Sequence, residues 1–186
     1  HLSIRRQRQM CIRDSLPLRP DIDDGIDRKV LTQLRARFMR INHGRLQRAM
    51  QALSSRQQRV LTLLPLLFHV NHPLLPGYVS AQTPAGLAGF EPGAELLAEA
   101  QRLTRSFAYK PPRAPAPTPI HGLFLMGSLG TLAQAEQSDM DLWVCHASEL
   151  DSDARDALRR KCDLLQSWAA SLSLIHISEP TRPLYI

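Results

Sequence analysis

The sequence has 186 residues, of which 44% are hydrophobic, with 23 basic and 17 acidic side chains and a formal net charge of +6. A pI near 9.8 would suggest a nucleic-acid-binding protein. No apolar run approaches the roughly 18 residues of a membrane-spanning segment, and no secretory signal is evident. The three cysteines show no metal-type spacing, so we expect a reducing compartment and a cytoplasmic protein.

Two short segments near the ends differ from the rest of the sequence, MCIRDS at residues 10–15 and LSLIHI at residues 172–177. The DNA sequence ATG TGT ATA AGA GAC AG opens the first, and its reverse complement encodes the second. This complementarity resembles translated sequencing-adapter DNA. We therefore interpret residues 1–15 and 172–186 as adapter-derived and exclude them from fold reasoning. Without them the net charge is only +3, which no longer favours nucleic acid.

Residues 16–109 have the pattern of a helical N-terminal segment. Apolar residues recur at helical spacing over residues 27–53, and Gly44 is expected to divide that element. A further helix is predicted over residues 55–68, with Ser54 or Ser55 as its N-cap, and another over residues 94–108. Residues 79–92 are predicted to form a loop, and the proline-rich residues 110–119 a stiff connector.

The pattern changes in residues 120–171. A short apolar run predicts a buried strand over 120–126, residues 128–135 favour a short helix, and residues 139–146 predict the next strand. Residues 151–171 place apolar side chains on one face of a helix that Asp151 or Ser152 can cap. We therefore predict an α+β fold in which the helical segment precedes a strand–turn–helix–strand–helix unit. That unit is incomplete, because two strands do not form a stable sheet alone.

Asp139 and Asp141 lie in the second predicted strand, and ten residues separate Asp139 from a Gly-Ser pair. Residues two apart in a strand point to the same face, so the two carboxylates are expected to project together, while Met140, Leu142 and Val144 are expected to face the core. Carboxylates this close repel each other, and a divalent cation such as Mg²⁺ relieves the repulsion. Gly127 and Ser128 end the preceding strand, where a glycine lets the backbone approach a phosphate. The pattern thus predicts one site for a triphosphate and Mg²⁺.

A Gly-Ser turn followed after about ten residues by Asp-x-Asp on a strand resembles the signature of the nucleotidyltransferase superfamily of the DNA polymerase beta type. This resemblance implies that the α+β unit is an incomplete nucleotidyltransferase-type unit. The blocks HPLLPGY (72–78), MGS (126–128) and SDMDLWVCH (138–146) are also similar to the N-terminal catalytic region of the class I adenylate cyclases of gammaproteobacteria. The similarity spans nearly all of residues 46–171.

The cyclase resemblance implies conversion of ATP to 3′,5′-cyclic AMP and pyrophosphate with Mg²⁺. By position it implies that Gly127 and Ser128 hold the triphosphate, and that Asp139 and Asp141 are catalytic metal ligands. The superfamily usually takes a third carboxylate from a later strand, so we expect the chain as it stands to be inactive. ATP is the expected partner, with no nucleic acid and no membrane, and regulatory partners are expected only through a missing C-terminal part.

Two alternative functions remain open, because the superfamily signature alone does not select a substrate. One is a protein-modifying adenylyl- or uridylyltransferase that shares only the site. The other is a non-catalytic helical interaction module whose aspartates are structural. His69 and His72 are a weaker candidate pair of metal ligands, since no third ligand is evident in the sequence.

Overall fold

The computed structural model describes residues 27–111, 118–134 and 140–172, so most of the predicted connector, Asp139 and the predicted adapter segments apart from Leu172 lie outside the described residues. The described elements are α1 (Arg28–Ala52), α2 (Ser55–His69), α3 (Ala94–Leu103), β1 (Ile120–Leu125), β2 (Leu142–His146) and α4 (Ser152–Leu172). The chain divides into two compact units, one ending at Gly44 and the other beginning at Arg45. None of the described helices is long and apolar enough to cross a bilayer.

The described part of the first unit is the N-terminal portion of α1. The Asp27 carboxylate accepts a hydrogen bond from the Lys29 N–H at 2.8 Å, which satisfies a donor at the start of the helix. Large apolar side chains along this portion are 41–59% exposed: Leu31, Leu34, Phe38, Met39 and Ile41. The helix continues through Gly44, so the predicted division there is wrong. An interior glycine weakens a helix by about 1 kcal/mol without breaking its hydrogen-bond ladder.

The second unit has its core around α2. This helix begins with a capping box, in which the Ser54 hydroxyl accepts from the Gln57 N–H and the Gln57 side chain accepts from the Ser54 N–H. The predicted helix and its predicted cap are therefore confirmed. The helix contacts α3, α4 and β1. Its buried side chains are Val60, Leu63, Leu64, Leu66, Leu67 and Phe68.

The other two helices match their predictions to different degrees. The end predicted for α3 at residue 108 is wrong, because Thr104 is extended and its hydroxyl donates to the Leu74 carbonyl at 3.0 Å. The prediction for α4 is confirmed to within one residue at each end, and its N-cap is Asp151, whose carboxylate accepts from the Ala154 N–H at 2.7 Å. The helix includes Leu172, which packs against the core.

The described sheet contains β1 and β2, paired antiparallel with Leu125 opposite Leu142. At the other end of β1 the backbone of Ile120 also bonds to the predicted loop, donating to Gly86 O at 3.1 Å and accepting from Ala88 N–H at 2.9 Å. An α+β fold class is thus confirmed. The expectation that residues 128–135 form a short helix is wrong for 128–134, which form turns, and β2 begins three residues later than predicted.

Candidate functional site

The turn that follows β1 lies directly beside the residue that precedes β2. The Met126 N–H donates to the Asp141 carbonyl at 2.7 Å, extending the antiparallel pairing by one residue beyond Leu125 and Leu142. Gly127 then adopts a positive φ of 69°. A Cβ at position 127 would lie 2.6 Å from Asp141 Oδ2, so the glycine leaves room for the carboxylate. The structure therefore brings together Gly127 and Asp141, two of the four predicted site residues.

Ser128 lies in the same turn, half-buried, and its carbonyl accepts from both the backbone N–H and the hydroxyl of Thr131, at 2.9 and 2.6 Å. Asp139 lies outside the described residues, so the pairing of its carboxylate with that of Asp141 stays a prediction. The buried side of the segment is as expected, because Met140 is fully buried. Asp141 itself precedes β2 and is half-buried, whereas the sequence placed it within the strand.

Arg45, near the C-terminal end of α1, binds the carbonyl side of this turn. Its Nη2 donates to the carbonyl oxygens of Met126 and Gly127, each at 2.9 Å, and its Nε donates to Leu129 O at 2.9 Å. Sequence reasoning missed this contact. An arginine on an amphipathic helix looks solvated in the sequence, and nothing local indicates an acceptor more than eighty positions away.

A second arginine completes the arrangement one turn further along α1. Arg48 Nε donates to the Gly130 carbonyl at 2.9 Å, and the Gly130 N–H donates to the Gln134 side chain at 2.8 Å. A Cβ at position 130 would clash with the backbone oxygen of Arg45, so the turn packs directly on the helix backbone. Gly130, with φ of 73°, is therefore required for close approach as well as for its conformation.

Two positively charged side chains bind the carbonyl side of the turn. In the described ranges no carboxylate lies within 4.0 Å of either guanidinium, whose acceptors are neutral carbonyls. Two positive charges therefore lie behind the turn. Asp141 places a carboxylate beside Gly127, and no group of three or more His, Cys, Asp or Glu side chains able to hold a metal occurs among the described residues.

The two histidines of the weaker metal hypothesis have other partners. His69 Nδ1 accepts from the Leu87 N–H at 3.2 Å, and His72 Nδ1 accepts from the Leu74 N–H at 3.2 Å. Burial lowers the pKa of His69, which favours its neutral form. Both rings line a cavity of about 1270 Å³ together with aromatic side chains that they contact edge-on, among them Phe90 and Phe107. These contacts fit polar packing.

Comparison with known proteins adds a family to this geometry. A family model described as the adenylate cyclase NT domain matches residues 30–177. Among curated proteins, the adenylate cyclase of Escherichia coli O6:H1 (strain CFT073) is 41% identical over 144 residues, and that of Salmonella typhimurium (strain LT2) is 40% identical. The adenylate cyclase of Proteus mirabilis is 38% identical over 143 residues.

These alignments cover about three quarters of the chain but only part of each relative. The match to the Escherichia coli protein takes in 76% of this chain and 17% of the relative, and the match to the Proteus mirabilis protein takes in 76% and 16%. No solved structure matches the chain. Since the family model covers most of the sequence, the chain belongs to the adenylate cyclase N-terminal domain family.

Proposed function

We propose that this chain is part of an adenylate cyclase that converts ATP to 3′,5′-cyclic AMP and pyrophosphate, and that the turn at residues 126–130 and Asp141 belong to its catalytic site. Family membership and the names of the relatives support the reaction. The observation that carries the site is the position of the Asp141 carboxylate, which fills the space that a Cβ at residue 127 would need. It joins a glycine-containing turn, whose backbone a phosphate can approach closely, with an acidic side chain suited to a cation.

The reaction is an attack of the ribose 3′-hydroxyl of ATP on its own α-phosphate, with pyrophosphate as the leaving group. In this proposal Gly127 and Ser128 bind the triphosphate through the backbone. A nucleotidyltransferase-type unit holds this turn and the aspartates in a fixed position relative to each other. Positioning of reactants and stabilisation of charge dominate phosphoryl transfer, because the protein itself need not form a covalent bond to phosphorus. The role of the turn is to fix the triphosphate relative to the ribose.

Asp141, together with Asp139, would hold Mg²⁺. The residues fit this ion, because carboxylate oxygens are the donors that Mg²⁺ prefers. Glycine at position 127 also leaves room for the Asp141 carboxylate, which a Cβ there would approach to 2.6 Å. When bound, the ion would neutralise charge on the phosphates. A carboxylate next to a triphosphate would otherwise oppose binding of that anion, so the acidic side chain makes chemical sense only with a cation present.

The test is a chimaera in which residues 30–171 replace the matching region of the Escherichia coli adenylate cyclase, assayed with ATP labelled at the α-phosphate. We expect labelled cyclic AMP from the chimaera, and from its Asp141→Asn variant a rate lower by several orders of magnitude. Arg155→Met, at an exposed position on α4, is the matched control and should retain activity. A chimaera that melts cooperatively but forms no cyclic AMP contradicts the proposal, and a labelled protein acceptor instead would indicate an adenylyltransferase.

A further inference from the structure

All five carbonyl groups of the turn at residues 126–130 accept hydrogen bonds from other groups of the chain. Arg45 binds three of them, at Met126, Gly127 and Leu129, and Arg48 binds the one at Gly130. The remaining carbonyl, of Ser128, accepts from Thr131 within the turn. No carbonyl of this turn is therefore left to point its negative end at an approaching anion.

The turn would not keep this orientation by its own chemistry. Gly127 and Gly130 both have positive φ, and a glycine populates positive and negative φ about equally. A peptide unit next to a glycine can therefore rotate and exchange the directions of its N–H and C=O groups. A rotated peptide would present a carbonyl oxygen to the phosphate and repel it. A second element must select one orientation.

The arginine geometry is suited to that selection. One guanidinium reaches three carbonyl oxygens at 2.9 Å, and hydrogen bonds from a charged donor are stronger than neutral ones. The backbone of Arg45 also lies against Gly130, so the helix and the turn are in contact independently of the side chain. The helix backbone therefore holds the base of the Arg45 side chain close to the turn. The planar guanidinium group then determines where the three carbonyl oxygens can lie.

We propose that Arg45, supported by Arg48, is a positioning residue of the nucleotide site, which fixes the peptide orientation of the turn at residues 126–130 so that N–H groups within residues 127–129, rather than carbonyls, meet the triphosphate. The N–H groups of Met126 and Gly130 donate instead to Asp141 O and to the Gln134 side chain. This inference rests on the proposed function. Arg45 does not touch the phosphates in this arrangement. It acts through the turn, and its positive charge behind the carbonyls adds a favourable long-range term.

The experiment titrates the 186-residue chain with inorganic tripolyphosphate in the presence of Mg²⁺, following the backbone amide signals of residues 127–130 by NMR. The variants are Arg45→Met, Arg45→Lys and the control Arg155→Met, which removes the same charge from an exposed position. We expect affinity to fall about tenfold or more in Arg45→Met, equivalent to one lost charge-assisted interaction, and to be unchanged in Arg155→Met.

Arg45→Lys separates positioning from charge. The ammonium group of lysine has three N–H donors but only one nitrogen, so it cannot occupy both the Nε position at Leu129 O and the Nη2 position at Met126 O and Gly127 O, and Arg45→Lys should bind tripolyphosphate more weakly than the unmodified chain. In the ligand-free chain, the Thr131 amide, which is bonded to Ser128 O, should exchange faster in both variants. A thermal melt confirms that each variant is folded, and Arg48→Met, which removes a single contact, takes the place of any variant that is not.

The outcomes distinguish this inference from the proposed function. If Arg45→Met binds as tightly as the unmodified chain, or if Arg45→Lys restores full affinity, the positioning role is overturned and the nucleotide site stands. If tripolyphosphate shifts none of the amide signals of the turn in the unmodified chain at any concentration, the nucleotide site itself is contradicted. The inference about Arg45 is then overturned with it.

Discussion

The Nζ atom of Lys161 lies 3.3 Å from the carbonyl oxygen of Val70, the C-cap residue of α2. The lysine is 1% exposed, and no carboxylate of the described chain lies within 4.0 Å of it. A helix C-terminus carries partial negative charge and therefore suits a cation, but one carbonyl replaces little of the water that an ammonium group loses on burial. Burial lowers the pKa of Lys161 from 10.5 to about 8.

This pKa predicts how the free energy of unfolding depends on pH. Between pH 8 and 10.5 the unfolded chain binds a proton at this lysine that the folded chain has released, so stability should rise with pH across that window. The full difference is on the order of 3 kcal/mol. Lys161→Met should be more stable than the unmodified chain at pH 7 and should lose this rise. Denaturant melts at a series of pH values measure both effects.

Cys162 should limit the rise of the free energy of unfolding with pH. Burial, with a smaller effect from the Asp163 charge, raises the pKa of its thiol from 9.0 to about 12. Since the unfolded thiol ionises first, this group lowers stability as pH increases above 9. The two effects should nearly cancel between pH 9 and 10.5, and Cys162→Ala should let the rise continue to pH 10.5. A pH profile that Cys162→Ala leaves unaltered would contradict these opposing signs.

The aspartates should separate activity from stability. In the cyclase chimaera, Asp139→Asn or Asp141→Asn keeps the side-chain shape and removes one ligand charge, so cyclic AMP formation should fall by several orders of magnitude. Without metal, the melting temperature of each variant should be no lower, because repulsion between like charges is reduced. A structural aspartate would show the reverse, with intact activity and a stability loss of roughly 1–3 kcal/mol.

The glycines of the turn can be tested against a matched glycine elsewhere. Gly89 has φ of 63° and open space around a Cβ, so Gly89→Ala should reduce stability only by the conformational term of about 1–2 kcal/mol. Gly130→Ala adds a clash with the Arg45 backbone oxygen and should lose roughly another 1–3 kcal/mol. Gly127→Ala should lie between them, because the Asp141 carboxylate can rotate away. Equal losses in all three would exclude the packing role of Gly130.

The terminal segments give a deletion prediction. If residues 1–15 and 172–186 are adapter-derived, they contribute no evolved contact, and removing residues 1–15 and 173–186 should leave the melting temperature unchanged. Leu172 is kept in this design, because it ends α4 and packs against the core. A melting temperature several degrees lower after deletion would show that one of these segments contributes to the fold.

The chain alone should not make cyclic AMP. The proposed site has Asp139 and Asp141, no group of three candidate metal ligands occurs among the described residues, and the nucleotidyltransferase resemblance implies that a third carboxylate comes from a later strand. We expect no cyclic AMP from the purified 186-residue chain with ATP and Mg²⁺, while Mg²⁺-dependent binding of tripolyphosphate is retained. Product above a control without protein would show that two carboxylates suffice.

Sequence periodicity was sufficient for the helices whose signals are local. Ser54 and Gln57 are three residues apart, so the start of α2 was visible in a short window. The alternation of Met140, Leu142 and Val144 likewise predicted burial, and all three are buried. Such features depend on spacing within one element, which is the information that a sequence carries most directly.

The features that depend on distant partners could not be predicted. Residues 128–134 contain reasonable helix formers, yet the carbonyls of Leu129 and Gly130 bind arginines of α1 instead of N–H groups four residues ahead. Lys161 occupies a buried position on α4 that a polarity pattern assigns to solvent. In both cases the competing interaction is tertiary, and it overrides a local preference worth only a few tenths of a kcal/mol per residue.

The pairing of β2 has a consequence for any strand that follows it. Within the described part of the chain β2 is bonded to β1 alone, so its far side offers backbone N–H and C=O groups to another strand. A strand of the same polypeptide reaches that side at an effective concentration in the millimolar range, well above that of a second molecule in dilute solution. A following strand of the same polypeptide would therefore pair with β2 in preference to a second molecule. If that strand were removed, β2 could pair with another copy of the chain, and the extent of this association would depend on protein concentration.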